Sequence, residues 1–217
     1  QTTDTETTEA FTYQAPELSD ITLPLSVFVD RFRLTDFTLQ QAAPQTINEL
    51  TFSLQVTPEH LNLTQLDIQH PLASVTASAK LQPRGNYPVT ADIRLRMQDT
   101  ELAGQRLRIT ADGTLANLQL QAYATELLEA DLSVWFNLLD NTLPLRISLT
   151  AARLQWPLSG EPVIQLDQLK LNADGNLQQL PFSGQLALNG KQLPQTNVQF
   201  HGASSLTGAT LESLAVN

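Results

Sequence analysis

Cysteine is absent from this 217-residue chain. That removes disulfides, thiol nucleophiles and thiolate metal sites together, and it is compatible with an oxidising compartment without identifying one. Charge is sparse, at 16% of residues, and the basic sign is the scarcer: 12 Lys and Arg stand against 22 Asp and Glu, for a net charge of −10. No basic stripe is visible, so no nucleic acid is expected as a partner, because phosphate backbones are held by clustered Lys and Arg. Aromatics make up 6%, which gives little support to a carbohydrate-active β-domain. No run approaches the roughly eighteen apolar residues of a membrane-spanning helix, and no charged-then-apolar signal peptide opens the chain. It begins at Gln1 rather than Met. The expectation is therefore a processed form or an excised piece, with any anchor or targeting segment outside it.

Catalytic motifs are missing as well. There is no GxSxG, no phosphate-cradling P-loop and no GxGxxG, and Gly202-Ala203-Ser204-Ser205 resembles none of them. His60, His70 and His201 lie far apart without metal-ligand spacing, and strand-end or surface histidines are the plain reading. Two Asp-Gly pairs, Asp112-Gly113 and Asp174-Gly175, lack the ladder of carboxylates of a calcium loop and read as turns. No cofactor, no metal and no enzymatic activity are expected.

What the chain does contain is a period of two. Its clearest stretch is Glu126 to Pro157, in which Ala130, Leu132, Val134, Phe136 and Leu138 are apolar at every second position, an Asp140-Asn141 turn intervenes, and Leu143, Leu145, Ile147 and Leu149 repeat the alternation. That is the pattern of two antiparallel strands with one apolar and one wet face. The same alternation begins at Leu23 and recurs to Val216, with changes of phase such as Leu63 to Leu66, and with a turn at Pro83-Arg84-Gly85-Asn86. It predicts about fourteen short strands and no helix; the helical rival, Ala124 to Leu132, yields to the strict alternation that follows it.

Residues 1–14 are Thr-rich and acidic and read as a flexible linker or frayed end. Residues 15–217 read as one β-segment with internal self-similarity. Thr22-Leu23-Pro24-Leu25-Ser26-Val27 aligns with Thr142-Leu143-Pro144-Leu145-Arg146-Ile147, and Tyr87-Pro88-Val89-Thr90-Ala91 is a third copy. The unit is about sixty residues, as in an array that grows by stacking. Proline stands at each strand entrance, where a missing N–H costs little. Sandwich, barrel and β-solenoid all fit short, regularly spaced strands. An open sheet of this many strands is ~65 Å long and must curl or fold over to cover its apolar side.

LSDITLPLSVFVDRFRL, NYPVTADIRL and LPLRISLTAARLQWPLSGEPVIQLDQLKLNADG, in this order, resemble the periplasmic region of the TamB family, related to AsmA-like lipid-transport proteins. The resemblance covers roughly residues 15 to 217, as an internal segment of that region. Its most specific phrase is Leu154, Trp156, Pro157, Gly160 and Glu161. The resemblance implies an all-β, elongated, curled antiparallel sheet with an apolar interior (a β-taco). It further implies the periplasm of a Gram-negative bacterium, an inner-membrane anchor outside this chain, transport of phospholipids toward the outer membrane, and an outer-membrane barrel partner, TamA, met through regions outside this chain.

Alternation alone is what any half-buried sheet shows, and plain core packing accounts for it. The resemblance turns the same residues into lipid-binding, groove-lining ones. These are Leu25, Val27, Val29, Phe52, Leu54, Leu63, Val75, Ala77, Val89, Ile93, Leu95, Leu107, Ile109, Leu118, Leu120, Leu132, Val134, Phe136, Leu145, Ile147, Leu149, Leu154, Trp156, Leu169, Leu171, Leu186, Leu188, Val198 and Phe200. Trp135 falls on the opposite face. The alternative is a scaffold or chaperone module that assists outer-membrane β-barrel assembly by pairing exposed strand edges. Exposed first and last strands also lead us to expect self-association.

Overall fold

The structure, a computed structural model, describes residues 13–19, 26–39, 45–98, 102–158, 160–191 and 193–217. Thirteen strands follow one another: β1 (Val27–Leu39), β2 (Gln45–Val56), β3 (Leu61–His70), β4 (Ala73–Leu81), β5 (Pro88–Met97), β6 (Arg106–Thr114), β7 (Asn117–Thr125), β8 (Glu129–Phe136), β9 (Leu145–Trp156), β10 (Ile164–Gly175), β11 (Leu180–Gly190), β12 (Leu193–Ser205) and β13 (Gly208–Val216). They form a single sheet whose spatial order is the chain order, and every pairing is antiparallel. All the extensive contacts between strands are between chain neighbours. Among the described residues no helix or second sheet is laid on either face.

What keeps so long a sheet two-faced is a set of β-bulges. Apolar residues normally recur every second position, and a single extra residue would send all that follow to the other face. In this chain the apolar spacing widens from two to three at Val29–Phe32, Leu63–Leu66, Ala151–Leu154, Leu166–Leu169 and Leu211–Leu214, and at each place the pairing register shifts by one. A sixth widening, Leu34 to Phe37, spans Asp36, whose φ is 54°, and Phe37 then pairs with Ile47. Gln168 carries the same positive φ inside the Leu166–Leu169 bulge. The inserted residue is absorbed in the backbone, and the apolar side chains stay together.

Several expectations from the sequence need correction. Asp112-Gly113 lies within β6, one residue before its end, and Asp174-Gly175 closes β10; the reversals come afterwards, at Leu115-Ala116 and at 176–179. The glycines are required by close approach: a Cβ on Gly113 would collide with the carbonyl oxygen of Asn117, and one on Gly175 with that of Gln179. Leu138 and Leu143 lie in the connection between β8 and β9, Leu143 with a φ of 47°. Leu154 and Trp156 belong to the same strand as Leu145. Leu23 and Leu25, like residues 1–12 of the Thr-rich start, lie outside the described residues.

Pro88 opens β5 and Pro144 immediately precedes β9, four strands on. Residues 13–19 run along the sheet end that carries these strand entrances. The Tyr13 hydroxyl donates to the Leu138 carbonyl (2.7 Å), the Ala15 N–H donates to Asn141 Oδ1 (2.9 Å), and the hydroxyl of the buried Tyr87 donates to the Ser19 carbonyl. The connections beneath are themselves linked, Leu138 N–H to the Leu115 carbonyl at 2.8 Å and Leu177 N–H to the Thr142 carbonyl at 3.2 Å.

Replacing Gly113 by Ala should lower stability by about 2 kcal/mol, the range for a backbone clash at a strained position. Urea unfolding should show a lower midpoint with an unchanged slope; an unchanged midpoint would mean that the hairpin does not need the close approach.

Candidate functional site

Side chains of neighbouring strands line up across the sheet, so the functional unit of this fold is the cross-strand row rather than the strand. One row runs through all thirteen strands: Val29, Leu54, Leu63, Ala79, Ala91, Ala111, Leu120, Val134, Ile147, Ala173, Phe182, Gly202 and Leu211. A second row is Phe32, Phe52, Leu66, Ala77, Ile93, Ile109, Ala122, Leu132, Leu149, Leu171, Gly184, Phe200 and Leu214. Neither holds a polar or charged side chain.

Two flanking rows extend the same face. Val27, Val56, Leu61, Leu81, Val89, Gly113, Leu118, Phe136, Leu145 and Gly175 cross β1 to β10 on one side. On the other, Leu34, Leu50, Ile68, Val75, Leu95, Leu107, Ala124, Ala130, Ala151 and Leu169 cross the same strands, and Leu186, Val198 and Val216 continue on β11 to β13. Leu154, Leu166 and Leu188 are in register beyond them, as are Trp156 and Ile164.

Every groove-lining residue expected from the sequence, apart from Leu25, which lies outside the described residues, therefore falls on this one face. Trp156 qualifies only by register: it ends β9 with 67% of its surface exposed, at the margin of the face. Apart from Ala77, the expectation missed the alanines of the face. Ala151 and Ala173 are the most deeply buried of the core hydrophobic residues described, at 1% and 4% exposure, because larger cross-strand neighbours close over them. A weak alternation of Ala with polar residues was the available signal.

The face is open. Among the described residues no large side chain is fully buried, and most of the row side chains are half-buried, covered by their neighbours within the sheet. The accessible surface is 14546 Å², against roughly 9,900 Å² for a compact globule of this mass. Twelve inter-strand steps by four rows give an apolar area of about 1,200 Å², two or more times the largest apolar patch of an ordinary soluble monomer, about 300–600 Å². A surface of that size is unfavourable in water unless something apolar covers it.

The opposite face is wet and laced with exposed ion pairs. Arg33 pairs with Glu49 (3.0 Å), Arg146 with Asp174 (2.8 Å) and Arg153 with Asp167 (3.6 Å). Asp92 accepts from Arg108 and Arg94, and chiefly the Arg108 hydrogen bond holds its carboxyl below the ordinary value. Trp135 stands here as expected, its indole N–H donating to Asn117 Oδ1 and the Arg146 guanidinium lying 5.9 Å from its ring centroid. His201 touches Ser213 (2.9 Å) and Glu212 (3.0 Å). That connectivity is triad-like, but the histidine and glutamate are more than half exposed on the open surface of β12 and β13, where water has free access to any reacting group. Among the described residues no three His, Asp or Glu side chains gather as metal ligands, and no helix is long and apolar enough to cross a membrane.

An open apolar face should bind an environment-sensitive dye such as N-phenylnaphthylamine without denaturant. Leu132→Asp, placing a charge in the second row, should weaken that binding by about tenfold, as a carboxylate in an apolar path costs upwards of 2 kcal/mol, whereas Ser133→Asp on the wet face should not. Equal fluorescence from both variants would mean that the dye binds elsewhere.

No solved structure matches the chain at a significant level. A family model described as TamB, N-terminal domain, matches residues 1–217, the whole chain. Given that match, the chain belongs to the TamB family.

Proposed function

We propose that this chain is a segment of a periplasm-spanning conduit in which phospholipid acyl chains slide along the apolar face between the inner and the outer membrane. The family is a periplasmic transport and assembly module, and its members are anchored in the inner membrane through the N-terminus. The observation that carries the proposal is the pair of apolar rows unbroken across all thirteen strands. They run perpendicular to the strands, along the length of the sheet, so a molecule following them meets the same aliphatic environment at every ~4.8 Å step.

Two acyl chains contain about thirty CH₂ groups, and carrying them through water costs ~0.8 kcal/mol each, roughly 25 kcal/mol altogether. A continuous apolar surface removes most of that cost. Leu, Val, Ile and Ala offer no directional bond that would trap a chain at one place, and the charged head group stays at the open margin, in water. Repetition of about sixty residues, or four to five strands, would extend the path without changing its chemistry. TamA would be met through regions outside this chain.

A second reading rests on the free edge. All nine residues of β13 are exposed, including Leu211, Leu214 and Val216. Such an edge can pair with another copy of the chain or with a nascent outer-membrane strand, in a scaffold that assists barrel assembly.

In the full-length protein in cells, Val134→Asp or Phe136→Arg should reduce phospholipid transfer to the outer membrane by about tenfold or more, since each puts a charge in the apolar path, while Ser133→Asp leaves transfer intact. Normal transfer with folded Val134→Asp and Phe136→Arg proteins would remove the conduit reading. A barrel-assembly defect in their place would favour the scaffold.

A further inference from the structure

The wet face of β5 and β6 holds a grouping of charge that the sheet does not need. Arg94 is directly across from Arg108, and Arg96 from Arg106, so four guanidinium groups stand in a two-by-two block about 5 Å across strands and about 7 Å along them. Like charges in facing positions destabilise a sheet. Yet this block collects four of the 12 basic residues of a chain whose net charge is −10. Compensation is partial. Asp92 is shared between Arg94 (3.0 Å) and Arg108 (2.8 Å), and Glu126 is 3.8 Å from Arg106. Arg96 has no acidic partner among the described residues. Four positive charges against two negative leave the block at about +2.

The register positions on either side carry hydroxyls. Ser74 and Thr76 of β4 face Arg96 and Arg94, and Thr125 and Tyr123 of β7 face Arg106 and Arg108. These residues, together with Leu95 and Leu107, border a hollow of about 550 Å³ that no carboxylate lines. The Tyr123 hydroxyl donates to Gln121 Oε1 (3.0 Å), but forked guanidinium groups with the Ser74, Thr76 and Thr125 hydroxyls around them are what phosphate oxygens require, and arginine fits that geometry where lysine supplies only a point charge. The block lies on the face opposite the apolar rows, and its argument is independent of lipid passage along them.

From this placement we infer that Arg94, Arg96, Arg106 and Arg108 form a binding site for a compact phosphate-bearing anion. The strongly acidic remainder of the chain repels an extended anionic surface, and a discrete group enters the positive hollow without meeting it.

Calorimetric titration of the 217-residue chain with pyrophosphate tests the site. Wild type should bind with an affinity that falls as salt rises. Arg96→Gln, which breaks no ion pair with any described residue, should bind about tenfold more weakly, in line with one charge-assisted contact, and Arg96→Gln/Arg106→Gln more weakly still. Arg146→Gln, outside the block, should bind as wild type does. The melting temperature of Arg96→Gln should equal or exceed that of wild type, because repulsion is relieved, so weakened binding would not reflect lost structure. Competition by phosphatidylglycerol vesicles in wild type would make a lipid head group a source of the phosphate; competition by inorganic phosphate alone would make it a soluble one. Absence of pyrophosphate binding by wild type, or equal binding by Arg96→Gln and its double variant, would overturn the inference.

Discussion

A single sheet of thirteen strands can be two-faced only if no strand loses phase, and everything else in this molecule depends on that constraint. An uncorrected one-residue slip would move every later apolar side chain of that strand into water. The chain meets the constraint with bulges at the places where its apolar spacing changes from two to three. The result is rows that keep one chemistry from the first strand to the last, which no individual strand could provide.

Stability has an unusual distribution as a consequence. In a layered domain the apolar face is removed from water by a second element. In this chain the described strands make extensive contacts only with their neighbours, so cohesion comes from the continuous backbone ladder, from cross-strand side-chain pairs such as Phe32 on Phe52 with ring centroids 4.9 Å apart, and from the bonded connections at one end of the strands. The apolar face is left half-covered. A half-covered apolar face of about 1,200 Å² is what the proposed conduit requires for an apolar occupant, and the family to which the chain belongs is a transport and assembly module.

The strands and the composition of the face were legible in the sequence because a two-residue period survives in each strand, and even the phase change at Leu63–Leu66 was visible as a widened spacing. Asp112-Gly113 and Asp174-Gly175 were misread as turns because Asp-Gly is a turn signal by propensity, whereas these glycines answer a backbone contact several residues away that only the folded hairpin creates. The buried alanines were passed over since their burial comes from neighbours on other strands. Trp156 was placed inside by parity, which says nothing of whether a strand end has neighbours to cover it. The arginine block was invisible for the same reason: Arg94 and Arg96 are separated in sequence from Arg106 and Arg108, and register alone makes them adjacent.

The central claim is that the apolar face is open and occupied by lipid in the cell. A photo-crosslinking amino acid at Val134, in a row that crosses the whole sheet, and another at Ser133, its neighbour on the wet face, test it directly in the full-length protein. Irradiation should attach phospholipid at Val134 and not at Ser133. Attachment at neither position in a folded protein would mean that the face is closed by protein, and would contradict the claim.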